Sequence, residues 1–264
     1  MNLYISTNMY GPEDLPNIFP LLAATHAECV GIELFPEWHD PVFSKVIEKY
    51  GDAFSQYPIS LHGPYYRTEH SKPIGSKEYL QAMDFFQQTL QLSQQFHSKY
   101  IVYHHNNCRV AANERDEMVR VADENLKQLS EVAKPFGAQI VVENAGVLSR
   151  GNMLFDEAQF IQMAQEISQA ILIDIGHAHA NGWNLERLIE KLAHKTVAYH
   201  VHNNDGREDQ HNRILDGTLD FDRFLTLYKK FTPQADIVIE YGKHCAQDTA
   251  GILADAAYIR EKLR

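Results

Sequence analysis

Short hydrophobic runs alternate with longer amphipathic stretches along most of the chain. The runs, such as LYIS at the start and IVVE at 140–143, are rich in β-branched and aromatic residues, which predicts strands. The stretches repeat apolar residues at three- and four-residue spacing, which predicts helices. The predicted helices cover about 76–97, 113–134, 156–168, 184–194, 220–231 and 247–263. The apolar stripe of the first is formed by Leu80, Met83, Phe86, Leu90 and Leu92.

Eight strand candidates alternate with about eight helices, and this order predicts parallel strands joined by crossover helices. A closed (β/α)8 TIM barrel of the α/β class needs roughly 250 residues, and the chain has 264. No GxGxxG motif follows the first strand, which disfavours a doubly wound nucleotide-binding sheet. Because we find no linker or break in composition, we expect one domain over residues 1–264. Its two longest irregular connections, 63–76 and 203–219, both follow predicted strands.

Seven of the hydrophobic runs end on an acidic residue or a histidine. Charged and imidazole groups rarely end buried runs unless something pairs with them. In a barrel the carboxyl ends of all strands meet at one mouth, so these side chains should converge there. Carboxylates and imidazoles are ligands for divalent metals, and the pattern therefore predicts a metal site at the mouth. The seven residues are Glu33, His62, His104, Glu143, Asp174, His202 and Glu240.

Charge and cysteine content narrow the possible partners. The net charge of −11 gives no global basic field, which disfavours nucleic acid and anionic membrane without excluding a local phosphate site. Three widely spaced cysteines with no C-x-x-C motif suit a reduced interior. We see no signal peptide and no apolar run long enough to span a membrane, so we expect a cytoplasmic protein.

Four local motifs carry the candidate chemistry. They are Glu143-Asn144, Asp174-Ile-Gly-His177, His202-Asn-Asn-Asp205, and Asp209-Gln-His211 followed by Gly217. Together with His62, His104 and Glu240, their order and spacing over almost the whole chain resemble the xylose isomerase-like, AP endonuclease family 2 superfamily of TIM barrels. The resemblance implies a divalent metal cofactor, with zinc, manganese or magnesium as candidates and one to three ions per chain.

The two branches of that superfamily imply nested ligand sets. The sugar isomerase and epimerase branch implies one metal bound by Glu143, Asp174, His202 and Glu240. The endonuclease branch implies a trinuclear zinc site, and each of its ligand positions holds a metal-competent residue here. That larger set is His62, His104, Glu143, Asp174, His177, His202, Asp209, His211 and Glu240.

The chemistry of the two branches differs. Proton abstraction beside a carbonyl needs a metal that polarises two sugar oxygens and a carboxylate on each face of the carbon, which Glu143 and Glu240 can supply from opposite sides of a barrel. Phosphoester hydrolysis needs two or three close metals, and the Asp209-x-His211 loop is the best evidence for it. The loop at 63–76 is only mildly basic. We therefore favour a small sugar, sugar derivative or sugar phosphate as substrate, keep the hydrolase as the alternative, and consider a non-catalytic sugar-binding barrel the weakest interpretation.

Several further side chains receive expectations. Tyr65 and Trp183 suit stacking on a sugar ring, and Glu33 either binds substrate or pairs with a neighbouring cation. Asp205 should organise its loop. His105 should face the helices, because side chains alternate along a strand. Packing roles are expected for His200, one layer below His202, and packing or surface roles for His26, His39, His70, His97, His194 and His244.

Overall fold

A computed structural model of the protein describes residues 2–25 and 30–263, so His26 and Cys29 lie outside the described residues. The described chain forms a closed parallel barrel in which neighbouring strands follow each other in sequence, and β1 pairs with β8 to close it. The strands β1 to β8 are Leu3–Ser6, Val30–Leu34, Ile59–Leu61, Ile101–Tyr103, Ile140–Glu143, Ala170–Asp174, Thr196–Val201 and Asp236–Ile239. The predicted (β/α)8 architecture is confirmed.

Helices cover the outside of the barrel, and side chains at their first residues help to start several of them. Asp40, Ser76 and Asp220 each accept a hydrogen bond from a backbone N–H of the first turn, and Asp156 forms a reciprocal capping box with Gln159. Each predicted helix is present within a few residues of its predicted ends. The helices α1 to α9 are Ile18–Ala24, Pro41–Phe54, Lys77–Phe96, Arg115–Ala133, Glu157–Glu166, Ile175–Ala180, Leu185–Leu192, Phe221–Phe231 and Thr249–Leu263.

The buried face of α3 differs from the predicted stripe. Leu80 is 59% exposed and does not pack in the core. The buried side follows Tyr79, Ala82, Phe86 and Leu90, which keep the three- and four-residue spacing of a helix surface. The stripe prediction was therefore wrong at Leu80, because a leucine one position beyond Tyr79 points away from the barrel.

The long connection at 203–219 folds back on itself after β7. Asn203 and Asn212 exchange two backbone hydrogen bonds of 3.0 and 2.9 Å, so the segment between them forms a tight excursion over the barrel mouth. Asp205 accepts backbone hydrogen bonds from Arg207 and Glu208 within it, which matches its predicted role in organising the loop. Over the described residues, we find no helix with the length and hydrophobicity needed to span a bilayer.

Candidate functional site

The nine candidate ligands all lie at the carboxyl end of the barrel, six of them at strand ends and three on α6 or in the loop after β7. Glu143 and Asp174 are the last residues of β5 and β6, and His62, His104, His202 and Glu240 directly follow β3, β4, β7 and β8. His177 lies on the short helix α6, and Asp209 and His211 lie in the long loop after β7. Every one of the nine belongs to at least one group whose ligand atoms lie within 4.8 Å of one another.

Glu143 is the centre of the first group. Its Oε2 atom lies 2.8 Å from His104 Nε2 and 3.8 Å from His62 Nε2, and its Oε1 atom lies 3.3 Å from His177 Nδ1. The carboxylate is buried, and burial alone would favour its protonated form. The imidazoles of His200 and His104 nevertheless hold the pKa of Glu143 well below its usual range.

Asp174 holds the second group together. Its Oδ1 atom accepts the His177 backbone N–H at 2.6 Å, which starts α6, and lies 3.1 Å from His202 Nε2. Asn144 fixes the backbone of Asp174, since its side-chain amide accepts from the Asp174 N–H at 2.7 Å and donates to the Asp174 carbonyl at 2.9 Å. The Glu143-Asn144 motif therefore supplies one ligand candidate and the clamp that positions another.

Close packing also fixes the ring of His202. A Cβ atom on Gly176 would lie 2.0 Å from His202 Cε1, so only glycine fits at this position of α6. On its other side the His202 ring stacks on His211 with ring centroids 3.9 Å apart. These two contacts leave His202 little freedom to turn away from Asp174.

The Asp209-x-His211 loop forms the third group. Asp209 Oδ1 lies 3.1 Å from His211 Nε2 and 3.5 Å from His177 Nε2. Burial disfavours the charged imidazole of His211, but the Asp209 carboxylate outweighs it and raises the pKa of His211 to about 9. His211 has a φ of 50°, the left-handed conformation that is costly for a residue with a Cβ. The loop accepts this strain while directing both side chains towards the mouth.

Glu240 lies beside these groups, directly after β8. Its Oε2 atom is 3.3 Å from His200 Nδ1 and 3.7 Å from His211 Nδ1. Burial raises the pKa of Glu240 to about 7, and the nearby carboxylates of Glu143 and Glu33 act in the same direction. A bound cation would favour the ionised form, because metal charge reverses this balance.

His200 forms the floor of the site rather than ordinary core. Its Nε2 atom lies 3.0 Å from Glu33, and its Nδ1 atom lies 3.4 Å from Glu143 and 3.3 Å from Glu240. The packing role expected for His200 is therefore corrected, since the ring is fully buried among carboxylates. The two-residue spacing from His202 carried the signal, because both side chains point into the barrel.

The donor set fits a divalent cation. Buried polar atoms without a hydrogen-bond partner are expensive, and several lie together here, in the part of the chain that the structure describes. They are the Nδ1 atoms of His177, His200 and His202, together with Asp209 Oδ1. Mixed imidazole and carboxylate ligands are typical of divalent transition-metal sites.

A cavity of about 160 Å³ opens above the candidate ligands. Tyr65, which is predicted to contact the substrate, lines it, and so do Tyr66 and Phe35, whose ring stacks on His62 at 4.2 Å. A larger groove of about 810 Å³ lies between α4 and α5 and contains none of the ligand candidates. His105 lies at that groove and contacts the Phe155 ring, so it faces the helices as expected.

Two predicted substrate contacts do not lie in this cavity. Glu33 is fully buried one layer below it and contacts His200, so the alternative that it pairs with a neighbouring cation fits the structure. Trp183 packs on Phe160, because the chain after α6 turns towards the outer helices, where the Trp183 N–H donates to the Ala178 carbonyl. The structure therefore places neither residue at this cavity, and their predicted contact with a substrate stays a prediction.

Among the polar residues at the cavity that sequence reasoning missed, Asn107 and Arg150 contact candidate ligands. Asn107 Oδ1 lies 3.0 Å from His104 Nδ1 and orients that ring. Arg150 lies at the rim, where its Nη1 atom is 2.9 Å from Asp209 Oδ2. The HHNN run after β4 offered a weak signal for Asn107, whereas nothing periodic marks Arg150 in its loop.

Curated relatives are similar over different shares of the chain. Inosose isomerase from Bacillus velezensis is 23% identical over 241 residues, which cover 80% of this chain and 83% of that protein. The uncharacterized protein MJ1614 from Methanocaldococcus jannaschii is 28% identical over 149 residues, which cover 56% of this chain and 57% of that protein. The match to MJ1614 thus spans little more than half of that relative's length.

Solved structures share the architecture. A D-tagatose 3-epimerase-like protein superposes with a TM-score of 0.78 over the whole of both chains at 19% identity. The IOLI protein with a bound zinc atom superposes with a TM-score of 0.77 at 16% identity, covering 100% of this chain and 98% of that one. The sequence model of the family described as "xylose isomerase-like TIM barrel" matches residues 21–262. Since that match spans nearly the whole barrel, the chain belongs to the xylose isomerase-like TIM barrel family.

Proposed function

We propose that this protein is a divalent-metal-dependent isomerase or epimerase of a small sugar or sugar derivative. The observation that carries the proposal is the arrangement of Glu143 and Glu240 around one cavity. The two carboxylates extend from β5 and β8 and both approach His200 Nδ1, at 3.4 and 3.3 Å. A substrate carbon held between them would have a proton-transfer group on each side.

The metal would be held by Glu143, Asp174, His202 and Glu240. When bound, it would polarise a substrate carbonyl and hydroxyl and make the neighbouring C–H bond more acidic. One of the two groups, Glu143 or Glu240, would take the proton from the substrate carbon as a carboxylate. The other, in its protonated form, would return a proton to carbon. Tyr65 and Phe35 would cover the ring, since aromatic faces pack well on the apolar side of a sugar.

The size of the cavity and the nature of the relatives support a small substrate. A volume of about 160 Å³ suits a compact molecule rather than a polymer. One curated relative is an inosose isomerase, and one structural neighbour is a D-tagatose 3-epimerase-like protein. The zinc atom in the IOLI structure supports a divalent metal as cofactor.

A second candidate function is phosphoester hydrolysis with two or three zinc ions. The specific observation in its favour is the presence of groups beyond the four isomerase ligands, namely His62 and His104 beside Glu143, and His177 beside Asp209 and His211. Such clusters could hold additional metals that clamp both oxygens of a displacement. The net charge of −11 argues against a nucleic acid as its substrate.

The proposal is tested by following exchange of substrate hydrogen with deuterium from the solvent. A panel of ketoses and inososes is incubated in D2O with metal-loaded protein, and deuterium at carbon is measured by NMR. Glu143→Gln and Glu240→Gln should each reduce exchange at least about 100-fold, because each removes an acid–base group while keeping its shape. Glu261→Gln removes an exposed carboxylate outside the site and should match the wild type.

Two results would contradict the proposal. One is full exchange in both glutamine variants with an unchanged metal content. The other is the absence of exchange with every compound, together with two or three metal ions per chain and hydrolysis of a phosphodiester, which would favour the hydrolase.

A further inference from the structure

Arg150 is the only arginine or lysine among the described residues that line the cavity. It ends a short helical turn, Leu148–Arg150, in the loop after β5. Gly151 closes this turn with a φ of 67°, and its carbonyl accepts the Val110 N–H at 2.8 Å. The backbone that carries Arg150 is therefore anchored, although the side chain itself is 47% exposed.

The guanidinium has unused hydrogen-bonding capacity. Its Nη1 atom forms an ion pair of 2.9 Å with Asp209 Oδ2, and its Nη2 atom donates to the Asp209 carbonyl at 2.7 Å. A guanidinium carries five N–H bonds in a fixed planar arrangement. Three of the five have no partner among the described residues, and the exposed part of the side chain leaves them accessible from the mouth.

Asp209 does not require Arg150 for charge balance. Its Oδ1 atom already lies 3.1 Å from His211 Nε2 and 3.5 Å from His177 Nε2. Asp209 instead places the guanidinium one carboxylate group away from the candidate metal centre. The positive charge of Arg150 also reaches into the cavity, since it opposes the effect of burial on the pKa of the Tyr65 hydroxyl.

Because carboxylates surround the cavity, a cation such as Arg150 would favour substrates that carry an anionic group. Glu143, Asp209 and Glu240 line the cavity, and Asp174 lies directly among them. A neutral sugar can bind these groups through its hydroxyls and needs no arginine. A sugar derivative with an anionic group would be repelled by the carboxylates unless that group lies beside a cation. Arginine is suited to this role, because it binds carboxylate and phosphate through paired N–H bonds.

We propose that Arg150 is a specificity-determining residue that binds a carboxylate or phosphate group on the substrate. This inference rests on the proposed isomerase function and narrows its substrate class to acidic sugar derivatives. The reacting end of the substrate lies between Glu143 and Glu240, and the anionic end lies at the rim beside Arg150.

The test compares binding of three probes to metal-loaded protein by calorimetry. The probes are a ketose, a phosphate monoester of the same ketose and the corresponding uronate. Wild type should bind at least one anionic probe roughly 10- to 100-fold more tightly than the ketose, as expected for charge-assisted hydrogen bonds. Arg150→Gln should abolish this preference, and Arg150→Lys should keep part of it. Arg223→Gln removes an exposed arginine on α8 and should behave as wild type.

The measured quantity is the ratio of the two affinities within one variant, so a change in metal content of Arg150→Gln cancels. A preference for the phosphate ester alone, or for the uronate alone, identifies the anionic group. Equal binding of all three probes by wild type would overturn the inference. So would a preference that persists in Arg150→Gln, since it would assign the anion to the metal. Because the ratio of affinities is read without detecting any product, failure of the deuterium exchange would refute the proposed reaction and not the role of Arg150.

Discussion

Replacing Glu69 by glutamine should separate two loops that form the wall of the cavity. Glu69 is 8% exposed and lies in the connection after β3. Its Oε1 atom accepts hydrogen bonds from the Ser71 N–H at 2.9 Å and the Ser71 hydroxyl at 2.7 Å. Its Oε2 atom accepts from the backbone N–H groups of Asn107 at 2.9 Å and Cys108 at 2.6 Å. One buried carboxylate thus joins the loop after β3 to the loop after β4.

The magnitude follows from counting donors. A glutamine keeps one acceptor oxygen but turns an N–H₂ group towards the other pair of donors. If that group faces Asn107 and Cys108, two backbone N–H groups lose their partner. If it faces Ser71, the hydroxyl can rotate to accept and one N–H group is lost. An unsatisfied buried donor costs about 1–3 kcal/mol, and the charge assistance of the remaining bonds also disappears. We expect Glu69→Gln to lower the free energy of unfolding by about 2–4 kcal/mol.

The pH dependence of the free energy of unfolding tests whether the charge of Glu69 contributes to stability. Burial disfavours the charged form of Glu69, but the hydrogen bonds from Ser71, Asn107 and Cys108 outweigh it and lower its pKa below the usual 4.5. A carboxylate with a lowered pKa in the folded state stabilises the protein above the unfolded pKa and loses that effect as the pH falls. The difference between wild type and Glu69→Gln should therefore be constant above about pH 5.5 and shrink below about pH 4.5.

Urea unfolding followed by circular dichroism over this pH range measures the difference. Glu261→Gln, an exposed change on α9, serves as the control and should be neutral. Glu69→Gln should also weaken metal binding. Glu69 holds the backbone of Asn107, and the Asn107 side chain orients the candidate ligand His104. A destabilisation below about 0.5 kcal/mol, the level of ordinary surface changes, would refute the reasoning. A difference that does not shrink at acid pH would refute the role assigned to the charge.

Three further predictions concern the metal and its substrate. Removing metal with a chelator should lower the melting temperature, because a ligand that binds only the folded state stabilises it, and an unchanged value after verified removal argues against the centre. The double variant Asp209→Ala/His211→Ala should keep one metal and raise KM, whereas loss of a metal equivalent with a collapse of kcat would favour the hydrolase. Duplex DNA, intact or abasic, should not bind in gel-shift titrations, and tight binding that weakens with salt would contradict the small-molecule substrate.

The barrel and the position of the candidate ligands were predictable from the sequence for the same physical reason. Hydrophobic runs that end on Glu143, Asp174 or Glu240 place a carboxylate where a parallel strand leaves the core, and a closed barrel brings all such ends together. The sequence pattern therefore predicts that these carboxylates converge at the barrel mouth, although it gives no distances between them. His200 was misjudged because a two-residue spacing defines its face but not which side chains surround it.

Residues that belong to loops were much less predictable. Trp183 follows α6, and the direction in which the chain leaves that short helix depends on packing against Phe160 rather than on any local pattern. Arg150 and Asn107 lie in connections without periodicity, where position is set by hydrogen bonds to other loops. Contacts of this kind join residues far apart in the sequence, and local propensity carries no information on them.

The seam at which β1 pairs with β8 closes the barrel, and its position implies that metal bound at the candidate centre would affect the rate of unfolding. Leu3 pairs with Ile237 at this seam, and Glu240 directly follows the strand that completes it. Contacts between residues so distant along the chain carry the largest loop-closure entropy and tend to form late in folding. Interactions absent from the folding transition state act on the rate of unfolding. A metal ion shared between Glu143 and Glu240 would therefore slow the opening of the barrel during unfolding without accelerating its closure during folding.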